Sequence, residues 1–311
     1  MKIQDYIQKE DQFGAHNYHP LPVVLDRGEG VYVWDVEGKR YFDFLSAYSA
    51  VNQGHCHPDI LSALIDQSKK LTLTSRAFYS SALGEYEEYI TKYFAYDKVL
   101  PMNTGAEGDE TALKLCRKWG YLKKGIPENE AKIIVCEGNF HGRTITVISM
   151  STDPDSYKGF GPFTPGFVTI PYDDIAALEE ALEDKNVAGF LVEPIQGEGG
   201  INIADKEYME GLRKICDDND TLLILDEVQC GMGRTGKYFA YQHYDITPDI
   251  MTLAKALGNG TAVGAMEATK EIAKSLVPGS HASTFGGNPL ACAASAAVFE
   301  VIQSEGLLDN A

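Results

Sequence analysis

Some residues at the ends of apolar runs are of types that can do covalent and electrostatic chemistry. Thr221–Leu225 (TLLIL) is followed by Asp226 and Glu227, and Ile250–Ala254 (IMTLA) by Lys255. A carboxylate beside low dielectric needs a partner. The protonated ring nitrogen of a cofactor would serve, and so would the N–H groups of a loop that Asp226 merely caps. A lysine at a buried strand end is costly to keep charged, which makes its amine a candidate Schiff-base nucleophile. The alternative is a stem that snorkels its ammonium to solvent. Val99–Met102 leads into Asn103-Thr104-Gly105-Ala106-Glu107 and a helix over Thr111–Trp119. A glycine turn at a helix N-terminus offers free N–H groups to a phosphate, although Glu107, Asp109 and Glu110 complement the same dipole end. Lys132–Cys136 (KIIVC) leads into EGNFHGR, in which Phe140 could stack on a ring and Arg143 could grip a carboxylate. A strand-end Asp, a strand-end Lys, a glycine turn and an aromatic loop are together the parts needed to hold pyridoxal phosphate (PLP).

Two other patterns compete for attention. Gly231–Lys237 (GMGRTGK) fits both G-x-G-x-x-G and G-x-x-x-x-G-K, but Tyr238 stands where a nucleotide-binding loop needs Ser or Thr, and no helix pattern follows. A P-loop nucleotidase is therefore disfavoured. His55-Cys56-His57 offers ligand-type side chains without a second pair at metal spacing, so no metal is expected.

These residues need a scaffold that brings strand ends together. Residues 31–44, VYVWDVEGKRYFDF, read as a β-hairpin. Beyond it, short apolar runs, including Val187–Val192, alternate with amphipathic helices at Asp174–Leu182 and Tyr208–Cys216. That alternation predicts an α/β fold with a mostly parallel central sheet covered by helices, and such sheets bind ligands at the carboxyl ends of their strands. The expected organisation is an N-terminal segment over 1–50, a large α/β domain over 51–288, and the start of an interdomain helix and further domain over 289–311. The last segment, apolar at Leu290, Ala294, Val298, Val301 and Ile302, needs a surface to pack on. The chain reads as cut short there.

Composition narrows the function. With 27 Lys and Arg against 45 Asp and Glu, the 311-residue chain carries a formal charge of 27 − 45 = −18. That disfavours general binding to nucleic acid or anionic membrane. The opening residues lack a secretory or transit pattern. Six scattered cysteines without a C-x-x-C pair point to a reducing cytoplasm.

Longer motifs extend these readings: FGAHNYHPLPVVL, YFDFLSAYSAVNQGHCHP, TSRAFYS, LGEYEEYITK, LPMNTGAE, NFHGRT, VEPIQGEGG, LDEVQCGMGRTGK, LAKALGNG and STFGGNPLACA. Through them the chain resembles the class III aminotransferases of PLP fold type I, most of all the ornithine aminotransferases among them, from about Phe13 to its last residue. The resemblance implies that Lys255 bonds the cofactor and shuttles a proton, and that Asp226 keeps the pyridine nitrogen protonated. It implies that Gln229 bonds the ring hydroxyl, Phe140 and Val228 sandwich the ring, and Gly105 and Ala106 bind the phosphate. Thr284, with Ser283 beside it, would complete the site of a neighbouring subunit in a homodimer. Arg143 and Ser283 would contact substrate, Glu198 would gate an arginine partner, and Tyr18 and Tyr48 would contact ornithine. The implied reaction is L-ornithine plus 2-oxoglutarate giving glutamate 5-semialdehyde plus glutamate, by a ping-pong route. An acetylornithine aminotransferase and a non-catalytic PLP-binding fragment are the alternatives. Gly108-Asp109 departs from the family pattern and is read as adding negative charge near the phosphate. Gly258-Asn259-Gly260 and Thr261-Ala262 depart from it too.

Overall fold

The computed structural model describes residues 2–311. After helix α1 (Ile3–Phe13), strands β1 (Leu25–Glu29), β2 (Tyr32–Asp35) and β3 (Arg40–Phe42) form a three-stranded antiparallel sheet. The expected hairpin is its β2–β3 half, with Tyr32 opposite Phe42. Ser46, Ala47, Tyr48 and Ser49 then form a left-handed turn, with φ of 50°, 49°, 59° and 67°. Asp43 braces it, its Oδ1 accepting from the N–H groups of Leu45 (3.0 Å) and Ser46 (2.8 Å).

Helices α2 (Pro58–Ser68) and α3 (Ser81–Phe94) lead into a seven-stranded sheet. Its strands are β4 (Lys98–Met102), β5 (Lys132–Cys136), β6 (Phe167–Ile170), β7 (Val187–Val192), β8 (Leu222–Asp226), β9 (Ile250–Leu253) and β10 (Gly264–Ala268). The order is β4-β10-β9-β8-β7-β5-β6, and β10 alone runs against its neighbours. The carboxyl ends of β4, β5, β7, β8 and β9 therefore share one edge. Every residue of β7 and β8 is buried, as an interior strand covered on both faces requires.

Alternate residues serve two apolar layers. Ile134, Cys136, Leu223 and Leu225 join a core that contains α3, α5 (Ile175–Ala181), α6 (Lys206–Asp218) and α7 (Pro289–Ser304). Ile133, Val135, Leu222 and Ile224 join a second core on α4 (Gly105–Trp119). Helix α4 approaches the sheet so closely that a Cβ on Gly189 of β7 would sit 2.5 Å from Cys116 Sγ. The apolar stripe of α7 does find its surface, against Ile60 of α2 and Leu83, Tyr86 and Ile90 of α3. Its start is set by Pro289 in the first turn and by Asn288, whose side chain accepts from Ala291 N at 2.9 Å.

Candidate active site

The shared edge holds a cavity of about 400 Å³ lined by Gly105, Ala106, Phe140, Asp226, Val228, Gln229 and Lys255. Each arrives there for a local reason. Asp226 ends β8; its Oδ1 accepts Val228 N at 2.9 Å and its Oδ2 accepts His141 Nδ1 at 2.7 Å. Lys255 follows β9 with φ of 47°, a left-handed conformation that a side chain adopts only under constraint and that recurs at functional sites. Asn259, two residues past the short turn Lys255–Leu257, ties this loop down: its Oδ1 accepts Gln53 N at 3.2 Å and its Nδ2 donates to Gly54 O at 3.0 Å.

The N-terminus of α4 is built for an anion. Thr104 caps it, its Oγ1 accepting Glu107 N at 3.2 Å and its carbonyl accepting Gly108 N at 3.1 Å. The N–H groups of Gly105 and Ala106 are orphans of the first turn, on residues that line the cavity. A Cβ on Gly105 would lie 2.8 Å from Val228 Cγ1, so glycine is needed for this close approach. The nearby acids are engaged elsewhere: Glu107 accepts Asn103 N at 2.7 Å, and Glu110 accepts Thr144 Oγ1 at 2.7 Å. Asp109 lies beside Asp226 and His141, and burial, reinforced by the charge of Asp226, pushes its carboxyl well above the usual range, which disfavours the negative charge its sequence position suggests.

The loop after β5 is pinned by Asn139, whose amide donates to Cys136 O (2.6 Å) and Met150 O (2.8 Å). Phe140 and His141 both line the cavity as a result. Burial opposes charge on His141, but its bond to Asp226 and the carboxyls of Glu193 and Asp109 outweigh that and push it up to about 9. Glu193, just past β7, accepts Phe140 N at 3.1 Å. Its burial pushes it up to about 7.

A second cavity, about 660 Å³, is lined by Tyr18, Tyr48, Arg143 and Glu198, and shares Phe140 and Lys255 with the first. Arg143 lies 5.3 Å from the Phe140 ring centroid and 3.6 Å from Asp153. Glu198 Oε1 accepts from Gln229 Nε2 at 3.1 Å, so its partner here is an amide. Thr284 and Ser283 line neither cavity. Thr284 is exposed, and Ser283 Oγ instead accepts from Asn103 Nδ2 at 3.0 Å.

Sequence reasoning missed His141, Glu193 and Asp109 as site residues. Glu193 was within reach, because it directly follows the apolar run Val187–Val192, where the strand-end rule points. The competing patterns lie elsewhere. Gly231–Lys237 is a run of turns, anchored by Glu227, which accepts Ala240 N (3.0 Å) and Tyr241 N (2.9 Å). His55 and His57 face different carboxylates, Asp43 at 2.6 Å and Glu305 at 2.9 Å.

A lysine at the junction of two cavities, a buried carboxylate in one and a helix N-terminus beside it define a site for an anionic, ring-bearing cofactor. The chain belongs to the class III aminotransferases, whose family model matches residues 13–311. It is similar to the mitochondrial ornithine aminotransferase of Drosophila ananassae, with 60% identity over 97% of this chain and 70% of that one. The structure is similar to that of the ornithine aminotransferase of Toxoplasma gondii, described with PLP partly occupying its active site (TM-score 0.99, 48% identity, 100% of this chain and 73% of that one). It is also similar to the acetylornithine aminotransferase of Elizabethkingia anophelis (TM-score 0.90, 54% identity, 100% and 76%).

Proposed function

We propose that the chain is an ornithine δ-aminotransferase that uses PLP. One observation carries this reading: the two cavities meet at Lys255, with Asp226 and the α4 N-terminus on one side and Tyr18, Tyr48 and Arg143 on the other. The donor set fits the cofactor. Orphan N–H groups of Gly105 and Ala106 suit a phosphate, Asp226 suits a protonated ring nitrogen, and Phe140 and Val228 suit the faces of a ring. Bound there, PLP supplies an aldehyde that captures an amine and a ring that withdraws electrons from the adjoining carbon.

The chain's own residues supply the rest. Lys255 Nζ would hold the cofactor, and the same amine is placed to move a proton at the reacting carbon. Asp226 would hold the proton of the ring nitrogen, and Gln229 would hydrogen-bond the ring hydroxyl. Reaction at the δ-amine of ornithine requires its α-amino acid end to be held away from Lys255. Tyr18 and Arg143 hold that end, Tyr48 packs beside it, and Arg143 then takes a carboxylate of 2-oxoglutarate. Glu198, now bonded to Gln229, is the residue we assign to gating a carboxylate-binding arginine. Because Thr284 and Ser283 lie off this chain's own cavities, we assign them to the site of a second copy in a homodimer. The six free cysteines support a reducing compartment, and the cytoplasm is the one we propose.

Acetylornithine aminotransferase is the second reading, favoured by the 54% identity to the bacterial enzyme. The visible spectrum of the chain with PLP separates the two. A cofactor band bleached by L-ornithine and little changed by N-acetylornithine is the expected result; the reverse would reassign the substrate. A band indifferent to both amines would leave a PLP-binding fragment. The Tyr18 hydroxyl suits an unacylated amino acid end, so Tyr18→Phe is expected to lower kcat/KM for ornithine about tenfold, the worth of one hydrogen bond to a charged group. The value for 2-oxoglutarate should barely move. Equal losses on the two substrates would remove Tyr18 from the ornithine contacts.

A further inference from the structure

Asp109 stands at a position where the sequence departs from its family, and the structure gives that departure a setting. The residue sits one helical turn beyond Gly105 on α4 and lines the same cavity. Asp109, His141 and Asp226 are 1%, 4% and 4% exposed. A side-chain nitrogen or oxygen from each lies within 4.8 Å of the other two. Thr252, on β9, donates from Oγ1 to Asp109 Oδ1 at 2.7 Å, while His141 Nδ1 donates to Asp226 Oδ2 at 2.7 Å. His141 Nε2 is buried without a partner.

Two carboxyls and one imidazole in so small a buried volume resist ionising together, because like charges at this range disfavour each other. The charged or titratable groups facing Asp109 are Asp226 at the end of β8, His141 in the loop after β5, and Glu193 after β7. Thr252 is its neutral partner. The hydrogen bonds divide the trio: His141 gives its Nδ1 proton to Asp226, and Asp109 turns to Thr252.

We propose that Asp109 is a positioning residue for Asp226: a buried carboxyl fixed by Thr252 that, with His141, sets where Asp226 sits and how much negative charge it turns toward the cavity. The proposal rests on the reading of that cavity as a PLP site. Its protons leave in coupled steps that belong to the trio and not to one residue. Removing the Asp109 carboxyl therefore removes a step.

The test compares the parent chain with Asp109→Asn and Asp109→Ala, each before and after PLP is added. The ring nitrogens of His141 are followed by 15N NMR across pH, and PLP affinity is measured by the quenching of tryptophan fluorescence. The parent is expected to show a two-step His141 titration, and Asp109→Asn a single step. Asp109→Asn, which keeps the bond to Thr252, should hold PLP within about twofold of the parent at neutral pH. Asp109→Ala should bind it about tenfold more weakly, the equivalent of 1.4 kcal/mol. The same His141 profile in parent and Asp109→Asn overturns the proposal, as does unchanged PLP affinity in Asp109→Ala. A parent that binds no PLP rejects the cofactor reading instead, because the His141 titration needs no cofactor.

Discussion

Lys255→Ala is expected to lower transamination by about 10⁴-fold, the upper range for loss of a positioned acid–base group, and to abolish the cofactor's lysine-bonded visible band. The fold should hardly notice. Lys255 is only half buried and lies in a three-residue turn after β9. Its φ of 47° is unfavourable for any residue with a Cβ, so alanine inherits the strain. Lys255→Gly relieves it and should be more stable than Lys255→Ala by about 1 kcal/mol. Thermal melts of the two variants, beside single-turnover rates with ornithine, check both halves. A Lys255→Ala chain that still transaminates would end the assignment of the amine.

The largest effect on stability is expected at Glu267, far from the chemistry. It lies on β10 between Met251 and Val99, fully buried, and neither carboxylate oxygen has a hydrogen-bond partner. Two neighbouring tyrosine hydroxyls are committed elsewhere: Tyr86 to Ser295 at 3.0 Å and Tyr96 to Pro248 O at 3.1 Å. An unpaired buried polar group costs about 1–3 kcal/mol. Glu267→Leu, similar in volume, should recover that amount. Burial pushes the carboxyl well above its usual range, so the folded chain keeps a proton that the unfolded chain releases above about pH 4.3. The cost is therefore smallest in acid and grows as pH rises toward the raised folded value. Urea denaturation of parent and variant across pH should show a gap that widens in that direction. A Glu267→Leu chain less stable than its parent would mean that the carboxyl has a partner.

The sheet was legible because its strands are buried on both faces, and continuous apolar runs such as VAGFLV leave little room for another reading. Strand β10, GAMEA, was not. It has no β-branched run and carries a glutamate, and only the antiparallel pairing with β4 and β9 makes it a strand. At the site, Asp226 and Lys255 could be found by their position after such runs. Asp109 could not. Helix position places it near the α4 N-terminus, but its proximity to Asp226 depends on how α4 crosses the sheet. Ser283 shows the opposite limit: its motif is specific, yet in this chain its hydroxyl is occupied with Asn103 and Gly286 N. The resemblance supplied roles there that no single-chain geometry can supply.

The left-handed turn at Ser46–Ser49 carries Tyr48 into the wall of the second cavity. Left-handed helical backbone costs an L-residue about 1–2 kcal/mol, so four in succession amount to a spring held shut by few bonds. The principal clasps are Asp43, itself gripped by His55 at 2.6 Å, and the bond from Ala50 N to Ser46 O at 2.8 Å. This stretch of wall is thus the easiest to let go. Its amides should exchange with solvent long before those of β7 and β8.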